Sequence, residues 1–242
     1  LTDILLRSKL KPEQLQELKM IQDSANKLNR LISDILDFSK IDTGKVELYH
    51  NSGNIFESLD KTYERYLDLT VKKDLKFNLD LDLSIYPYIW ADFKHLKKVL
   101  FNLIDNSVKF TKTGYVQLSV KKEYEDEKTE KLKFSVKDTG IGIPKNRIKE
   151  IFNDFVQADN SLTKKHTGLG LTLSVSNAIV NSFNSELKVK SQVGKGSTFE
   201  FSILFDKSQP IQDRKISKSL KILLISDNET IKNHFTNSLK DL

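Results

Sequence analysis

The stretch Leu132-Lys133-Phe134-Ser135-Val136-Lys137-Asp138-Thr139-Gly140-Ile141-Gly142-Ile143-Pro144 changes character halfway along. Its first half alternates apolar and polar residues, which predicts a strand with one buried face. Its second half holds two glycines, so the backbone there can approach a ligand closely. Upstream, Val116, Leu118 and Val120 alternate in the same way. The two runs predict a hairpin, with the charged stretch Lys121–Lys131 as its long solvated loop.

Working outward, residues 92–110 show a helical period that buries Leu96, Val99, Leu100, Leu103, Ile104 and Val108 on one face. Ile55–Leu69 reads as a second amphipathic helix, Leu75–Leu81 as a half-buried strand and Val46–Leu48 as a short one. A helix near Leu169–Phe183 and strands over Leu187–Lys190 and Thr198–Phe205 complete the region. Helices with a largely antiparallel sheet predict an α+β domain, a two-layer α/β sandwich.

The N-terminal residues follow another rule. Pro12 suits the first turn of a helix, and Leu18, Ile21, Ala25, Leu28, Ile32 and Ile35 recur at alternating spacings of 3 and 4. Gly44 ends the pattern. So narrow a seam predicts a helical bundle, completed by the Leu1–Leu10 segment and a second subunit. A core helix of one globular domain is the alternative. At the other end, polar residues 207–219 with Pro210 read as a linker. Lys221-Ile222-Leu223-Leu224-Ile225 reads as a strand buried in a parallel sheet, running through Ser226-Asp227-Asn228 into a helix. The expected division is 1–44, 45–206, 207–219 and 220–242.

Composition narrows the function classes. The 242 residues suit one to two domains at roughly 150 residues each. No run approaches the ~18 apolar residues of a membrane span. Leu1 opens no signal peptide, and a chain starting there is expected to be a piece of a longer one. The absence of cysteine excludes disulfides, thiolate metal sites and cysteine nucleophiles. The net charge of +6 comes almost wholly from lysine, with acids interleaved, as in Glu123-Tyr124-Glu125-Asp126-Glu127. No basic stripe forms, so a solvated surface is expected rather than a nucleic-acid partner.

Three motifs carry chemistry. Asn102 and Asn106 lie four apart on the 92–110 helix, with Lys109 one turn further on. Two amide oxygens and an ammonium suit a metal-bridged polyphosphate, and Mg²⁺ takes few protein ligands. Asp138 at its strand end can accept from a purine amino group. Thr167-Gly168-Leu169-Gly170-Leu171 opens an apolar helix, whose N-terminus can receive an anion.

In this order and on these elements, the motifs resemble the kinase core of a two-component sensor histidine kinase of the hybrid type. Asn102–Thr111 resembles that family's N box, Asp138–Pro144 its first glycine box and Ile151–Phe155 its F box. Thr167–Leu171 is similar to its second glycine box and Ser191–Phe199 to its closing strand signature. Ile35–Lys45 resembles the end of its dimerisation hairpin. The resemblance implies a Bergerat-type ATP-binding fold over 45–206, preceded by a hairpin of a four-helix dimerisation bundle over 1–44. Residues 220–242 would start a receiver domain.

The resemblance also implies roles. Asp138 would recognise the adenine amino group, and Gly140 and Gly142 would let the nucleotide sit close. Asn106, with Asn102, would hold Mg²⁺, and Lys109 would contact phosphate. Thr167, Gly168, Leu169 and Gly170 would cradle the phosphates, Thr198 would line the adenine pocket, and Val156–Thr167 would form the ATP lid. The reaction would move the γ-phosphoryl of ATP to a histidine and then to a receiver aspartate. It depends mainly on positioning and charge stabilisation. Expected partners are a second copy of the chain and a receiver domain in cis or trans. The chain would be a cytoplasmic portion, any membrane anchor lying outside it.

Three departures accompany the resemblance. No catalytic residue is assigned within the chain, because the phosphoacceptor histidine is expected upstream of Leu1. His50, His95, His166 and His234 read as surface or packing histidines, His166 standing where the family usually has glycine. Ser226 stands beside Asp227 where receivers have paired acids. Two other readings remain. A gyrase- or chaperone-type ATPase clamp shares the fold but carries a glutamate base where this chain has Asn102. A nucleotide-binding scaffold would bind ATP and transfer nothing.

Overall fold

The computed structural model describes Leu5 and residues 11–42, 47–153 and 170–209. Its first long element is helix α1, Pro12–Asp42. The Lys11 amide, just ahead of it, donates to Gln14 Oε1 at 3.0 Å, one half of a capping box. The expected seam residues Ile21, Leu28, Ile32 and Ile35 are all exposed in the single chain. α1 runs alongside the last helix of the domain that follows.

That domain is a seven-stranded sheet with helices on one face. Strand β1, Asn51–Asn54, leads into α2, Ile55–Val71, where Asn54 Oδ1 caps the helix by accepting from Phe56 N–H at 2.9 Å. Then come β2, Leu75–Leu81, β3, Tyr88–Ala91, and α3, Phe93–Phe110. Strands β4, Gly114–Glu125, and β5, Thr129–Asp138, form the hairpin. After the short 3₁₀ turn Glu150–Phe152 come α4, Thr172–Ser182, β6, Lys188–Gln192, and β7, Gly196–Lys207. The order across the sheet is β1-β3-β7-β5-β4-β2, with β6 also on β7, and only β2 with β4 is parallel.

The core lies between sheet and helices. Leu96, Val99, Leu100, Leu103, Ile104 and Val108 of α3 are all buried, as their period predicts. They meet Val116, Leu118, Phe134, Val136 and Phe201 from the alternating strands. Phe134 stacks on Phe201 with centroids 5.1 Å apart.

Several expectations need correction. No strand begins within residues 47–48; the first is Asn51–Asn54, a polar stretch held by antiparallel pairing to β3 rather than by its own propensity. β3 itself was not expected. Lys121–Lys131 is not a long loop. Both strands continue through it, with a bulge between Lys122 and Tyr124, to a turn at Asp126–Lys128. Most of the charges are solvated, Glu130 being the exception, buried where it accepts from Tyr86 N–H at 3.1 Å. Asp126 closes the turn by accepting from Lys128 N–H at 2.8 Å and Thr129 N–H at 2.6 Å. Those donors, with the Thr129 hydroxyl, hold the Asp126 carboxyl down at about 2. At the other end β7 takes in Lys207, so the strand passes the expected boundary at 206. Gly44, the lid segment, most of the linker and the stretch 220–242 lie outside the described residues.

Candidate functional site

The alternation that buries Val136 also buries Asp138, the last residue of β5, with 5% of its surface exposed. Its Oδ1 accepts from Gly140 N–H at 2.8 Å and from Ser197 N–H at 3.2 Å. Its Oδ2 meets the Ser107 hydroxyl at 3.4 Å, a long contact that leaves lone-pair capacity. Burial pushes this carboxyl above the ordinary aspartate range, and the Gly140, Ser197 and Ser107 donors only partly offset it.

The glycine loop after Asp138 leans on the protein itself. A Cβ on Gly140 would stand 2.5 Å from the Phe110 carbonyl oxygen, and one on Gly142, at φ +70°, would strike the Gln192 carbonyl. Both glycines are therefore needed for packing against the end of α3 and the β6–β7 turn, whatever they also do for a ligand. Ile143 N–H donates to Ser191 Oγ at 2.7 Å, and Ser191 Oγ lies 3.0 Å from Ser197 Oγ. A hydroxyl chain thus ties the loop to the strand that feeds Asp138. A cleft of 460 Å³, lined by Ile143, Lys145, Ser191, Gln192 and Val193, opens beside it.

Helix α3 brings the N-box residues to the same end of the sheet. Asn106 precedes the buried Ser107 and is half-buried. Among the described residues no hydrogen bond engages its amide. Lys109 is half-buried, its Nζ 4.9 Å from the Phe110 ring centroid, and burial lowers its pKa. Asn102 behaves differently from the expected pair. It is buried, and its Nδ2 donates to Ser176 Oγ at 3.0 Å and to the Thr172 carbonyl at 3.3 Å, both on α4.

Helix α4 starts without a side-chain cap: Leu171 stands at the N-cap position, preceded by Gly170 at φ +74°. Among the described residues no side chain accepts from its first N–H groups, and the helix dipole favours an anion there. Of the second glycine box Gly170 and Leu171 are described; Thr167, Gly168 and Leu169 lie outside, as do His166 and the end of the F box. Thr198 needs correction. It pairs with Lys137 on the sheet face away from the helices, whereas Ser197 shares the buried face with Phe199 and touches Asp138. The burial alternation of β7 carries that signal, and counting back from Phe201 and Phe199 would have found it.

The histidines divide. His50 is exposed, His234 lies outside the described residues, and His95 sits at the head of α3. There Asp92 caps the helix, accepting from His95 N–H at 2.9 Å, while its Oδ2 lies 2.6 Å from His95 Nδ1. The same Oδ2 accepts from Tyr49 N–H at 2.8 Å, clipping the segment that arrives from α1 onto the site helix. Among the described residues no trio of His, Cys, Asp or Glu is placed to hold a metal ion. No described helix is long and apolar enough to cross a membrane.

Known proteins resemble this chain in sequence and in fold. A family model described as histidine kinase-, DNA gyrase B- and HSP90-like ATPase matches residues 91–207. A second, the His Kinase A phospho-acceptor domain, matches residues 1–44. The chain is 39% identical over 215 residues to hybrid signal transduction protein dokA of Dictyostelium discoideum, covering 87% of this chain and 13% of that protein. It is 32% identical over 205 residues to the histidine-protein kinase BarA of Escherichia coli, covering 85% and 22%. Among solved structures, full-length ShkA in complex with AMPPNP superposes with a TM-score of 0.69 at 26% identity, over 86% of this chain and 42% of that one. The chain thus spans a quarter or less of these two curated relatives. With both family models matching, and together taking in more than half of its residues, the chain belongs to the two-component sensor histidine kinases.

Proposed function

We propose that this chain binds Mg-ATP and passes the γ-phosphoryl group to a histidine and onward to a receiver aspartate. The observation that carries the reading is Asp138. A buried carboxylate whose second oxygen has spare acceptor capacity suits an exocyclic amino group and repels a purine carrying a carbonyl there, so adenine is preferred over guanine. That ShkA is known with an ATP analogue supports the nucleotide class.

The remaining groups fit a polyphosphate. The uncapped start of α4 offers N–H donors and the positive end of a dipole, and Lys109 supplies a cation on the next helix. Asn106 has the oxygen chemistry Mg²⁺ accepts and an amide with no competing bond among the described residues. When bound, the ion would neutralise charge on the phosphates. The chain's own part is to hold the nucleotide in line with an acceptor. In the transfer a bond forms from an imidazole nitrogen to the γ-phosphorus. The bond to the β–γ bridging oxygen breaks, and its electron pair leaves with ADP. Water attack is poorly served, because the one carboxylate of α3, Asp105, is engaged by the Tyr66 hydroxyl at 2.9 Å.

A second copy suits the exposed seam of α1, where Ile21, Leu28, Ile32 and Ile35 form one stripe. The experiment is incubation with γ-labelled ATP, alone and with a site-disabled subunit that carries an acceptor helix. Acid-labile, base-stable label on that subunit is the expected result. Label confined to His50 or His95 of this chain, or bound ATP with no transfer, would overturn the reading.

A further inference from the structure

The two asparagines expected to share one metal site are given different surroundings by the fold. Asn106 is half-buried and faces no internal partner among the described residues, whereas Asn102 is buried against α4. The Asn102 amide nitrogen reaches two acceptors on the first turns of that helix: the carbonyl of Thr172, its first residue, at 3.3 Å, and Ser176 Oγ at 3.0 Å. Ser176 is fully buried and donates its own hydroxyl to the Thr172 carbonyl at 2.7 Å. Three polar groups from two helices therefore close a small triangle inside an apolar contact that Val175 and Ile179 share with α3. Because Ser176 spends its hydrogen on Thr172, its oxygen needs a donor, and the Asn102 amide is the donor present.

We infer that Asn102 is a positioning residue: it fixes the first turn of α4, and with it the uncapped N–H groups beside Gly170, against the helix that carries Asn106 and Lys109. The geometry favours this over a direct metal role. The amide plane is set by its two acceptors on α4, and a buried amide that lost them would leave Ser176 and Thr172 short of a donor. The inference rests on the reading of the site as a nucleotide site and gives that site a mechanical part. The distance between the anion-binding helix end and the metal-binding asparagine is set by one side chain.

The two roles separate on ligands lacking a metal or a phosphate. The purified chain is titrated with Mg-ADP, with ADP in the presence of a chelator, and with adenosine, using the parent, Asn102→Ala and Ser176→Ala. A positioning role predicts that Asn102→Ala weakens ADP about tenfold with and without Mg²⁺ alike, since phosphate contact at the helix end is lost in both cases. Ser176→Ala, which touches no candidate metal ligand, should weaken ADP in the same pattern by about threefold. Adenosine should compete equally well in all three, because Asp138 and its donors are untouched; a general loss of folding would weaken adenosine too. If Asn102→Ala lowers Mg-ADP affinity but leaves metal-free ADP unchanged, or Ser176→Ala has no effect, the positioning role is wrong. A parent chain that binds no adenine nucleotide would instead defeat the reading of the site as a whole, and this assignment with it.

Discussion

Helices α1 and α3 carry nearly the same message in sequence: apolar residues at spacings of 3 and 4, with polar faces between. Their surroundings are opposite. Leu96, Val99, Leu100 and Leu103 of α3 are at most 1% exposed, whereas Ile21 and Leu28 of α1 are 54% and 57% exposed. A helical period reports that a face must be buried, but not what buries it. For α3 the sheet and two helices of the same chain do so. For α1 the stripe stays exposed in the single chain, and the second copy proposed above would cover it in a helical bundle.

The sharpest way to break that contrast is to damage each stripe in turn. Leu103→Ala should lower the stability of the α/β domain by about 2–5 kcal/mol, read as a clear fall in thermal midpoint. Leu28→Asp should leave that midpoint unchanged and reduce self-association in sedimentation. Equal thermal losses from both would mean that α1 belongs to the same core.

A smaller effect is expected where the two regions are joined. Asp92 caps α3 and holds the Tyr49 amide, so Asp92→Ala should cost about 1–2 kcal/mol in chemical denaturation. Burial pushes its carboxyl up, but hydrogen bonds from His95 and Tyr49 outweigh this and leave it below the ordinary range. A depressed carboxyl stabilises the fold above its unfolded pKa, and that contribution is lost as pH falls through the folded value. The gap between parent and Asp92→Asn should therefore close on acidification. A gap that widens would show that the ionised carboxylate is not what holds the joint.

What could be read in the sequence follows the same division. Burial of the α3 face was legible because six apolar residues share one period, and Asp138 because a strand and two glycines frame it. β1 was not legible, since Asn51-Ser52-Gly53-Asn54 has no strand propensity and is held by β3 alone. The hairpin was underestimated because charge was read as loop, where lysines and glutamates can lie on the solvated side of a paired strand. At the site, the resemblance points to Thr198, but strand faces alternate, and it is the neighbouring Ser197 that lies on the buried side and donates to Asp138. The partners of Asn102 were not legible for a different reason. Thr172 and Ser176 lie 70 and 74 residues away, and no local pattern announces them.

The reading as a whole turns on whether Asp138 recognises a purine amino group. Equilibrium titration of the parent and Asp138→Ala with Mg-ATP and Mg-GTP tests this most directly. The parent should prefer ATP, and Asp138→Ala should lose about 1–3 kcal/mol of ATP affinity while GTP binding changes little. The ATP affinity of the parent should also fall on acidification at a pH above the ordinary aspartate range, as the raised carboxyl protonates and can no longer accept. Unchanged ATP affinity in Asp138→Ala, with the fold intact by circular dichroism, would contradict the assignment of this site to adenine.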